Sequence, residues 1–224
     1  MADDRRTELR VRLGDARLML IFTPEVCRGG EPLGVLDSLL ALVDVIQVRV
    51  KDPRQGSSPA RELYDWTARV LESVRGSGHA PLVIVNDRID VALALKEEGV
   101  AGVHLGTEDS TPEQARELLG DVALVGLSTH SAYQVAAAQD RPVDYLGFGP
   151  VFPSTTKGYS QGLGPEAAWI ASQASGVPVF AIGGIDFRNI AQIAEVGRAA
   201  VSSALLCAED PARTARGMAD VLGG

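Results

Sequence analysis

One apolar segment of this 224-residue sequence ends in a run that alternates polar and apolar side chains, Gln47-Val48-Arg49-Val50-Lys51. In an extended strand, residues two apart point to the same side, so Gln47, Arg49 and Lys51 would form one row. Burying two cations without partners costs several kcal/mol each. The row therefore predicts either a bound anion at the strand end or a structural salt bridge, and the sequence leaves both open.

Carboxylates follow the next two apolar segments of the chain. Asn86-Asp87 ends the first, and Asp109 follows the second. If the two segments are neighbouring parallel strands, the aspartates could share Mg²⁺, which takes one or two carboxylates together with water and phosphate oxygens. Each aspartate by itself is more typical of a helix N-cap. Glu108, beside Asp109, is expected to be solvated.

A polar turn after a further apolar segment contains Ser128 and His130. The Ser128 hydroxyl could bind a ligand or cap the helix that follows. His130 could act as an acid or a base, but a single histidine near the start of a helix is more often structural.

Two stretches have the composition of phosphate-binding loops. In the first, Ser154-Thr155-Thr156-Lys157, hydroxyl and backbone N–H groups could surround phosphate oxygens while the lysine adds positive charge; a polar loop without a ligand is the alternative. The second combines Gly183-Gly184 with Ser202-Ser203, because glycines permit the close backbone approach that a phosphate needs. Two such loops beside a metal site suggest two phosphorylated substrates that are joined with loss of diphosphate.

The elements that must position these residues repeat eight times along the chain. Apolar segments typical of strands covered on both faces lie at 18–22, 45–48, 82–85, 102–105, 123–126, 145–148, 179–182 and 199–203. Helical patterns lie at 33–43, 59–75, 89–98, 112–119, 132–138, 165–174, 187–195 and 211–222. Eight such units predict an α/β fold, a single (β/α)8 TIM barrel, with its active site at the C-terminal ends of the strands. We expect one domain over residues 1–224, with residues 1–16 as an N-terminal extension or helix.

Composition narrows the classes of partner. Lys and Arg total 21 against 29 Asp and Glu, giving a net charge of −8 and a pI near 4.9, which disfavours nucleic acid. Cys27 and Cys207 have neither zinc-site nor disulfide-framework spacing. The apolar segments are too short to span a bilayer, and residues 1–17 lack the apolar core of a secretory signal. The sequence predicts a cytoplasmic protein that binds small molecules rather than nucleic acid or membrane.

Six motifs occur together in an order that is typical of one enzyme family. They are Gln-x-Arg-x-Lys at 47–51, Asn-Asp-Arg at 86–88, Gly-Val-His-Leu-Gly-x-x-Asp at 102–109, Ser-Thr-His at 128–130, Gly-Pro-Val-Phe-Pro-x-x-Thr-Lys at 149–157 and Ile-Gly-Gly-Ile at 182–185. On these residues the chain resembles the thiamine-phosphate synthase (thiamine-phosphate pyrophosphorylase) family. Met19, Pro24, Thr107 and Ser154 depart from the residues common in that family, at positions expected to make peripheral contacts or to keep a hydroxyl.

The resemblance implies a transferase that joins 4-amino-5-hydroxymethyl-2-methylpyrimidine diphosphate to 4-methyl-5-(2-phosphoethyl)thiazole carboxylate or a related thiazole phosphate, giving thiamine phosphate and diphosphate. It implies that Asp87 and Asp109 hold Mg²⁺. Contacts with the pyrimidine diphosphate are implied for Gln47, Val48, Arg49, Val50, Lys51, Asn86, Ser128 and Lys157. Contacts with the thiazole phosphate are implied for Ser154, Thr155, Thr156, Gly183, Ser202 and Ser203. Catalytic roles are implied for Arg49, Lys51, Ser128 and Lys157.

The family reaction is dissociative, so the bond to diphosphate breaks first and the thiazole nitrogen then captures the pyrimidine methylene cation. Such a reaction depends on stabilising the leaving group and orienting the nucleophile, and it needs no general base. Two alternatives are a thiazole tautomerase-like relative and a non-catalytic barrel that binds thiamine phosphate. The complete set of carboxylates and cations favours the synthase. Assembly into a homo-oligomer is implied by the resemblance alone.

Overall fold

The protein folds into a closed barrel of eight parallel strands. The computed structural model describes residues 2–28, 30–51, 59–153 and 161–223. The strands are β1 (Leu18–Phe22), β2 (Val45–Val48), β3 (Leu82–Asn86), β4 (Val100–Leu105), β5 (Leu124–Thr129), β6 (Tyr145–Phe148), β7 (Val179–Ile182) and β8 (Ala199–Val201). Each strand pairs in parallel with the next, and β8 closes the barrel against β1, with Ala200 opposite Met19. The predicted (β/α)8 TIM barrel is confirmed.

Helices alternate with these strands along the chain. They are α1 (Ala2–Asp15), α2 (Pro32–Asp37), α3 (Ala60–Ser77), α4 (Ile89–Ala94), α5 (Pro112–Leu119), α6 (Ala132–Ala138), α7 (Pro165–Ala174), α8 (Ser203–Leu206) and α9 (Pro211–Gly223). Proline at the first position of α2, α5 and α7 suits a helix start, where its missing N–H costs no hydrogen bond. Among the described residues, no helix is both long and apolar enough to cross a membrane.

Two of the predicted helices are shorter than expected. The helix predicted over 33–43 ends at Asp37, where the Ser38 hydroxyl donates to Val35 O at 2.7 Å. A serine side chain that bonds to nearby backbone in this way competes with the helical ladder. The helix predicted over 89–98 is α4, and only a 3-10 turn continues it at Lys96–Glu98.

The last two units also differ from the prediction. The segment predicted as a helix over 187–195 is a 3-10 segment, Ile190–Val196, with non-helical backbone at Ile193. It ends at Gly197, whose φ of +69° is a left-handed conformation that glycine adopts without strain. The strand predicted over 199–203 stops short because its last predicted residue begins α8.

Helix α1 closes the N-terminal end of the barrel. Its Leu9 and Leu13 are buried in the same apolar cluster as Met19, Tyr145 and Phe180, whose side chains fill the barrel interior. A second apolar cluster lies between the strands and the outer helices. Both faces of the strands are therefore buried, which is the reason the strand sequences do not alternate apolar with polar residues.

Asp144, which precedes β6, fastens α1 to the barrel. Its Oδ1 forms an ion pair with Arg10 Nη2 at 2.8 Å, and its Oδ2 accepts hydrogen bonds from Arg116 Nη2 and from Val125 N, both at 2.8 Å. Two cations and a backbone donor compensate for the loss of water around this carboxylate. Helix α1 thus covers this end of the barrel, and the cavity described below lies at the opposite end, where the strands finish.

Candidate active site

A cavity of about 450 Å³ lies at the C-terminal ends of the strands. It brings together seven residues to which the sequence assigns substrate contacts: Gln47, Arg49, Asn86, Ser128, Gly183, Ser202 and Ser203. These residues come from β2, β3, β5, β7 and β8 or the loops that follow them. Parallel strands in a closed barrel place all their carboxyl ends at one rim, which is why residues so distant in sequence share this cavity.

The side chains of residues 47–50, at the end of β2, alternate between the cavity and the outer apolar core. Gln47 and Arg49 line the cavity, whereas Val48 and Val50 are buried in the apolar cluster beneath the helices. Only backbone atoms of the two valines could therefore contact a ligand. Desolvation lowers the pKa of Arg49, although the charges of Asp87 and Glu25 oppose that shift. A partly desolvated guanidinium of this kind favours an anionic ligand.

Lys51 forms an ion pair at the rim of the barrel. Its Nζ lies 3.1 Å from Asp87 Oδ2, and the Asp87 side chain is 10% exposed. The sequence left a structural salt bridge and a bound anion as alternatives for this row, and the structure shows a salt bridge for Lys51. The end of β2 thus joins a cation to the first of the two carboxylates assigned to a metal.

Neither carboxylate of the assigned metal site is a helix cap. Asp87 adopts a left-handed conformation, with φ of +63°, and α4 begins after Arg88 without a side-chain cap. Asp109 Oδ2 accepts a hydrogen bond from Gly106 N at 2.9 Å, while Thr111 caps α5. The N-cap alternative is therefore wrong for both aspartates. The positive φ of Asp87 is uncommon outside glycine, asparagine and aspartate and turns the side chain out of the usual strand direction.

The donor set at this rim fits Mg²⁺. Burial raises the pKa of Asp109, and the hydrogen-bonding and charged carboxylate of Asp87 raises it further, so the two groups lie within interaction range. Among the described residues, no three His, Cys, Asp or Glu side chains are grouped as a metal cage. Mg²⁺ characteristically takes one or two carboxylates and completes its shell with water and phosphate oxygens. Asp87 and Asp109 do not line the cavity described above, but two carboxylates within interaction range of each other at the rim match that preference.

Two polar atoms in the cavity wall have no hydrogen-bond partner within the described part of the chain. They are Asn86 Nδ2 and Thr23 Oγ1, in side chains that are 5% and 2% exposed. A buried donor without a partner costs free energy, and such groups are rare in folded proteins unless a ligand or water satisfies them. Asn86 also lines the cavity, so its unpartnered amide is a donor that a ligand there could satisfy.

The opposite wall of the cavity is built by the loops after β7 and β8. Gly183 has φ of +94°, and a Cβ atom there would lie 2.6 Å from Pro150 Cβ. Only glycine fits both constraints, so the backbone approaches the cavity closely at this point. Ser202 and Ser203 line the same wall at the start of α8. Backbone N–H groups and hydroxyls in this position suit a phosphate ester.

Four of the assigned residues, Ser154, Thr155, Thr156 and Lys157, lie outside the residues that the structure describes. Pro153, immediately before them, lines the cavity. Their assignment stays a prediction from the sequence.

His130 has a structural contact in the wall. Its Nδ1 donates to Gly149 O at 2.5 Å, and its backbone N donates to Gln134 Oε1 at 2.5 Å. The cap of the following helix is Ser131, so Ser128 is not a cap. The loop after β5 thus leaves the Ser128 hydroxyl available to the cavity and uses His130 to hold the start of the loop after β6.

Sequence analysis assigned no role to His104, which the structure places in the cavity wall. Its Nε2 lies 2.9 Å from Ser128 Oγ, and its Nδ1 lies 3.0 Å from the hydroxyl of Tyr145. The available signal was a histidine in the middle of the apolar strand β4, at a position that is 5% exposed. An imidazole there requires hydrogen-bond partners, but the sequence does not show which residues supply them.

A family model that matches this chain, and two proteins of similar sequence, are all described as thiamine-phosphate or thiamine monophosphate synthases. Residues 18–205 match the sequence model of a protein family described as thiamine monophosphate synthase. The thiamine-phosphate synthase of a Synechococcus species is 40% identical over 215 residues, covering 94% of this chain and 58% of that protein. The thiamine-phosphate synthase of Acidothermus cellulolyticus is 38% identical over 212 residues, covering 92% of this chain and 95% of that protein.

A solved structure extends the similarity to the fold. Thiamine phosphate pyrophosphorylase from Pyrococcus furiosus superposes with a TM-score of 0.77 at 30% identity, covering 96% of this chain and 98% of that chain. This chain spans 58% of the length of the Synechococcus relative, which is a longer protein.

Proposed function

Because this chain belongs to the thiamine monophosphate synthase family, we propose that it joins 4-amino-5-hydroxymethyl-2-methylpyrimidine diphosphate to a thiazole phosphate, giving thiamine phosphate and diphosphate. The observation that carries the proposal is that two groups of residues suited to anions line one cavity. Arg49 and the amides of Gln47 and Asn86 line one side of it, and Gly183, Ser202 and Ser203 line another. Two phosphorylated substrates would then meet between them.

The first wall would bind the pyrimidine diphosphate. Gln47 and the unpartnered Asn86 amide offer hydrogen bonds, and Arg49 offers a desolvated positive charge. Ser128 adds a hydroxyl. Lys157 would add a further cation, as the family resemblance implies. Charge-assisted hydrogen bonds of this kind are stronger than neutral ones, so this wall favours a highly charged diphosphate.

The second wall would bind the phosphate of the thiazole. Gly183 allows its backbone to approach the ligand, and Ser202 and Ser203 supply hydroxyl and N–H donors. Ser154 to Thr156 would complete this wall. The loops after the seventh and eighth strands are a frequent phosphate site in barrels of this type.

The carboxylates of Asp87 and Asp109 would hold Mg²⁺, which when bound neutralises charge on a diphosphate group. Lys51, paired with Asp87 at the same rim, would turn its positive charge toward the leaving diphosphate. Arg49 would act in the same way from the cavity wall, and the family resemblance implies the same role for Lys157. Positive charge that is fixed in place before the reaction stabilises a developing anion without reorganisation.

The proposed reaction begins with cleavage of the C–O bond to diphosphate, whose electron pair leaves with the oxygen. The thiazole nitrogen then donates its lone pair to the pyrimidine methylene cation and forms the new C–N bond. The protein's contribution is to hold both reactants on facing walls of one cavity. This makes a bimolecular reaction effectively unimolecular within the complex.

The test is diphosphate release from the purified protein. We expect release when both substrates and Mg²⁺ are present, and none when either the thiazole phosphate or Mg²⁺ is withheld or when EDTA is added. Folded protein that releases no diphosphate under any of these conditions would contradict the proposal. Proton exchange on the thiazole phosphate would then distinguish a tautomerase-like relative from a barrel that only binds thiamine phosphate.

A further inference from the structure

Three polar side chains form a hydrogen-bonded chain from the barrel interior to the cavity. The hydroxyl oxygen of Tyr145, on β6, lies 3.0 Å from Nδ1 of His104, on β4. The Nε2 atom of His104 lies 2.9 Å from Oγ of Ser128, on β5. Tyr145 is fully buried, and Ser128 lines the cavity. The chain therefore connects a residue that no ligand can reach with a residue assigned to the substrate.

Gly126 on β5 and Gly147 on β6 make room for this arrangement. A Cβ atom on Gly126 would overlap the Tyr145 ring, and a Cβ atom on Gly147 would lie 3.3 Å from His104 Cε1. The Tyr145 ring also packs edge-on against Phe180, with the ring centroids 5.8 Å apart. Neither ring can move far without meeting backbone or another ring, so the hydrogen-bonded atoms are held in register.

The direction of the hydrogen bonds is set at the buried end. Burial raises the pKa of Tyr145, so its hydroxyl keeps its proton. Within the described part of the chain, the acceptor that this hydroxyl meets is His104 Nδ1. A buried O–H without an acceptor is costly, so Tyr145 donates and Nδ1 accepts. A ring protonated on both nitrogens would leave the Tyr145 proton without an acceptor.

The tautomer of His104 and the role of Ser128 follow from this direction. With Nδ1 accepting, the neutral ring carries its proton on Nε2, which donates to Ser128 Oγ. The Ser128 oxygen is then engaged as an acceptor, and its own proton points to another acceptor. Ser128 lines the cavity, so a ligand bound there can supply that acceptor.

We propose that Tyr145 and His104 are positioning residues that fix Ser128 as a hydrogen-bond donor toward an acceptor atom of the bound pyrimidine diphosphate. The identity of that ligand rests on the proposed function. A free serine hydroxyl can rotate to donate or to accept, whereas diphosphate oxygens only accept. The three-residue chain removes the unproductive orientation before the substrate arrives.

The tautomer can be measured without any substrate. Nitrogen NMR of the ¹⁵N-histidine-labelled protein, with the His104 signals assigned by their loss in His104→Gln, should show protonated Nε2 and unprotonated Nδ1. The Tyr145→Phe variant keeps the aromatic ring and removes the hydroxyl. In this variant the His104 ring should populate both neutral tautomers, so each nitrogen should be partly protonated. Protonated Nδ1 in the wild-type protein would overturn the proposal, and this arm does not depend on the stability of Tyr145→Phe.

A double-mutant cycle tests the coupling to Ser128. We expect Tyr145→Phe to lower kcat/KM for the pyrimidine diphosphate roughly tenfold, the scale of one directed hydrogen bond. In a Ser128→Ala background the same tyrosine change should have little further effect, because Tyr145 acts through Ser128. Tyr133→Phe, which removes a hydroxyl from a tyrosine that is 81% exposed, is the matched control and should retain wild-type kcat/KM.

The outcomes separate this proposal from the proposed function. Equal losses from Tyr145→Phe in both backgrounds would show a general structural role and overturn the positioning role. Wild-type protein without diphosphate release would contradict the synthase function, and the NMR measurement would then decide whether the His104 tautomer is fixed as described.

Discussion

Lys51 Nζ lies 3.1 Å from Asp87 Oδ2, so the cation assigned to the leaving diphosphate and a carboxylate assigned to Mg²⁺ are paired with each other. The two residues lie at the ends of the neighbouring strands β2 and β3. The pair keeps both side chains at the rim of the cavity. It also makes the lysine a competitor for the carboxylate oxygen that a metal would use.

Replacing Lys51 with Gln should separate the stabilisation of the leaving group by the lysine from its competition with Mg²⁺ for Asp87. Turnover should fall by roughly ten- to a hundredfold, because a charged hydrogen bond to the leaving group is lost. Affinity for Mg²⁺ in the absence of substrate should rise, because Asp87 loses its competing cation. Calorimetric titration with MgCl₂ and a diphosphate-release assay measure the two quantities. Arg61→Gln removes a charge from a side chain that is 97% exposed and should change neither; weaker Mg²⁺ binding in the Lys51 variant would argue against the competition.

The Asp87→Asn variant tests the metal assignment directly. Asparagine tolerates the left-handed backbone of this position, so the fold should be retained. Turnover should fall by more than roughly a hundredfold, since metal neutralisation of a phosphoryl leaving group supplies several kcal/mol. The measurement is diphosphate release as a function of Mg²⁺ concentration, with circular dichroism as a check of folding. Asp90→Asn is the control, because Asp90 pairs with Arg88 instead. Normal Mg²⁺ dependence in Asp87→Asn would remove this residue from the site.

The Gly183→Ala variant tests the phosphate wall. The added Cβ would meet Pro150 and would also require a backbone conformation that L-residues rarely adopt. We expect a higher KM for the thiazole phosphate and a lower melting temperature. Gly34→Ala is the matched control, because a Cβ there meets no atom within 4 Å and alanine favours the helix. If the KM for the pyrimidine diphosphate rises instead, the two walls have been assigned the wrong way round.

The surface pair of Glu113 and Arg141 gives a pH-dependent prediction. The Arg141 hydrogen bond lowers the pKa of Glu113 to about 2 from an ordinary value of 4.5. A depressed carboxylate pKa stabilises the folded state above the ordinary pKa, and that stabilisation is lost as the pH falls toward 2. The two side chains are 53% and 33% exposed, so the pair contributes only about 0.2–1 kcal/mol.

Glu113→Gln should therefore lower the free energy of unfolding at pH 7 and approach the wild-type value in acid. Denaturant unfolding across this pH range measures the difference. Glu117→Gln, an exposed change on the same helix, is the control. A difference that grows as the pH falls would contradict the assigned sign.

Much of the architecture could be predicted because its signals are local. Strands buried on both faces produce continuous apolar runs, and five of the predicted helices match the observed ones to within two residues at each end. The wrong boundaries arose where a single side chain or one backbone conformation decided the outcome. Ser38 ends α2 with its own hydroxyl, and the non-helical backbone at Ile193 interrupts the helix predicted before β8. Such local hydrogen bonds and dihedral angles do not change the pattern of apolar residues from which the helices were predicted.

In the candidate site, too, some features follow from local sequence and others do not. The sequence by itself determined which polar residues follow the strands, and the closure of parallel strands then brings Gln47, Asn86 and Ser128 to one cavity. It could not determine that Asp87 is turned toward Lys51 rather than capping α4, because that depends on one backbone dihedral angle. Only the tertiary structure decided which atoms are hydrogen-bonded. Ser128 meets His104 across 24 positions of sequence and His104 meets Tyr145 across 41, and such partners are fixed by packing inside the closed barrel rather than by any local pattern.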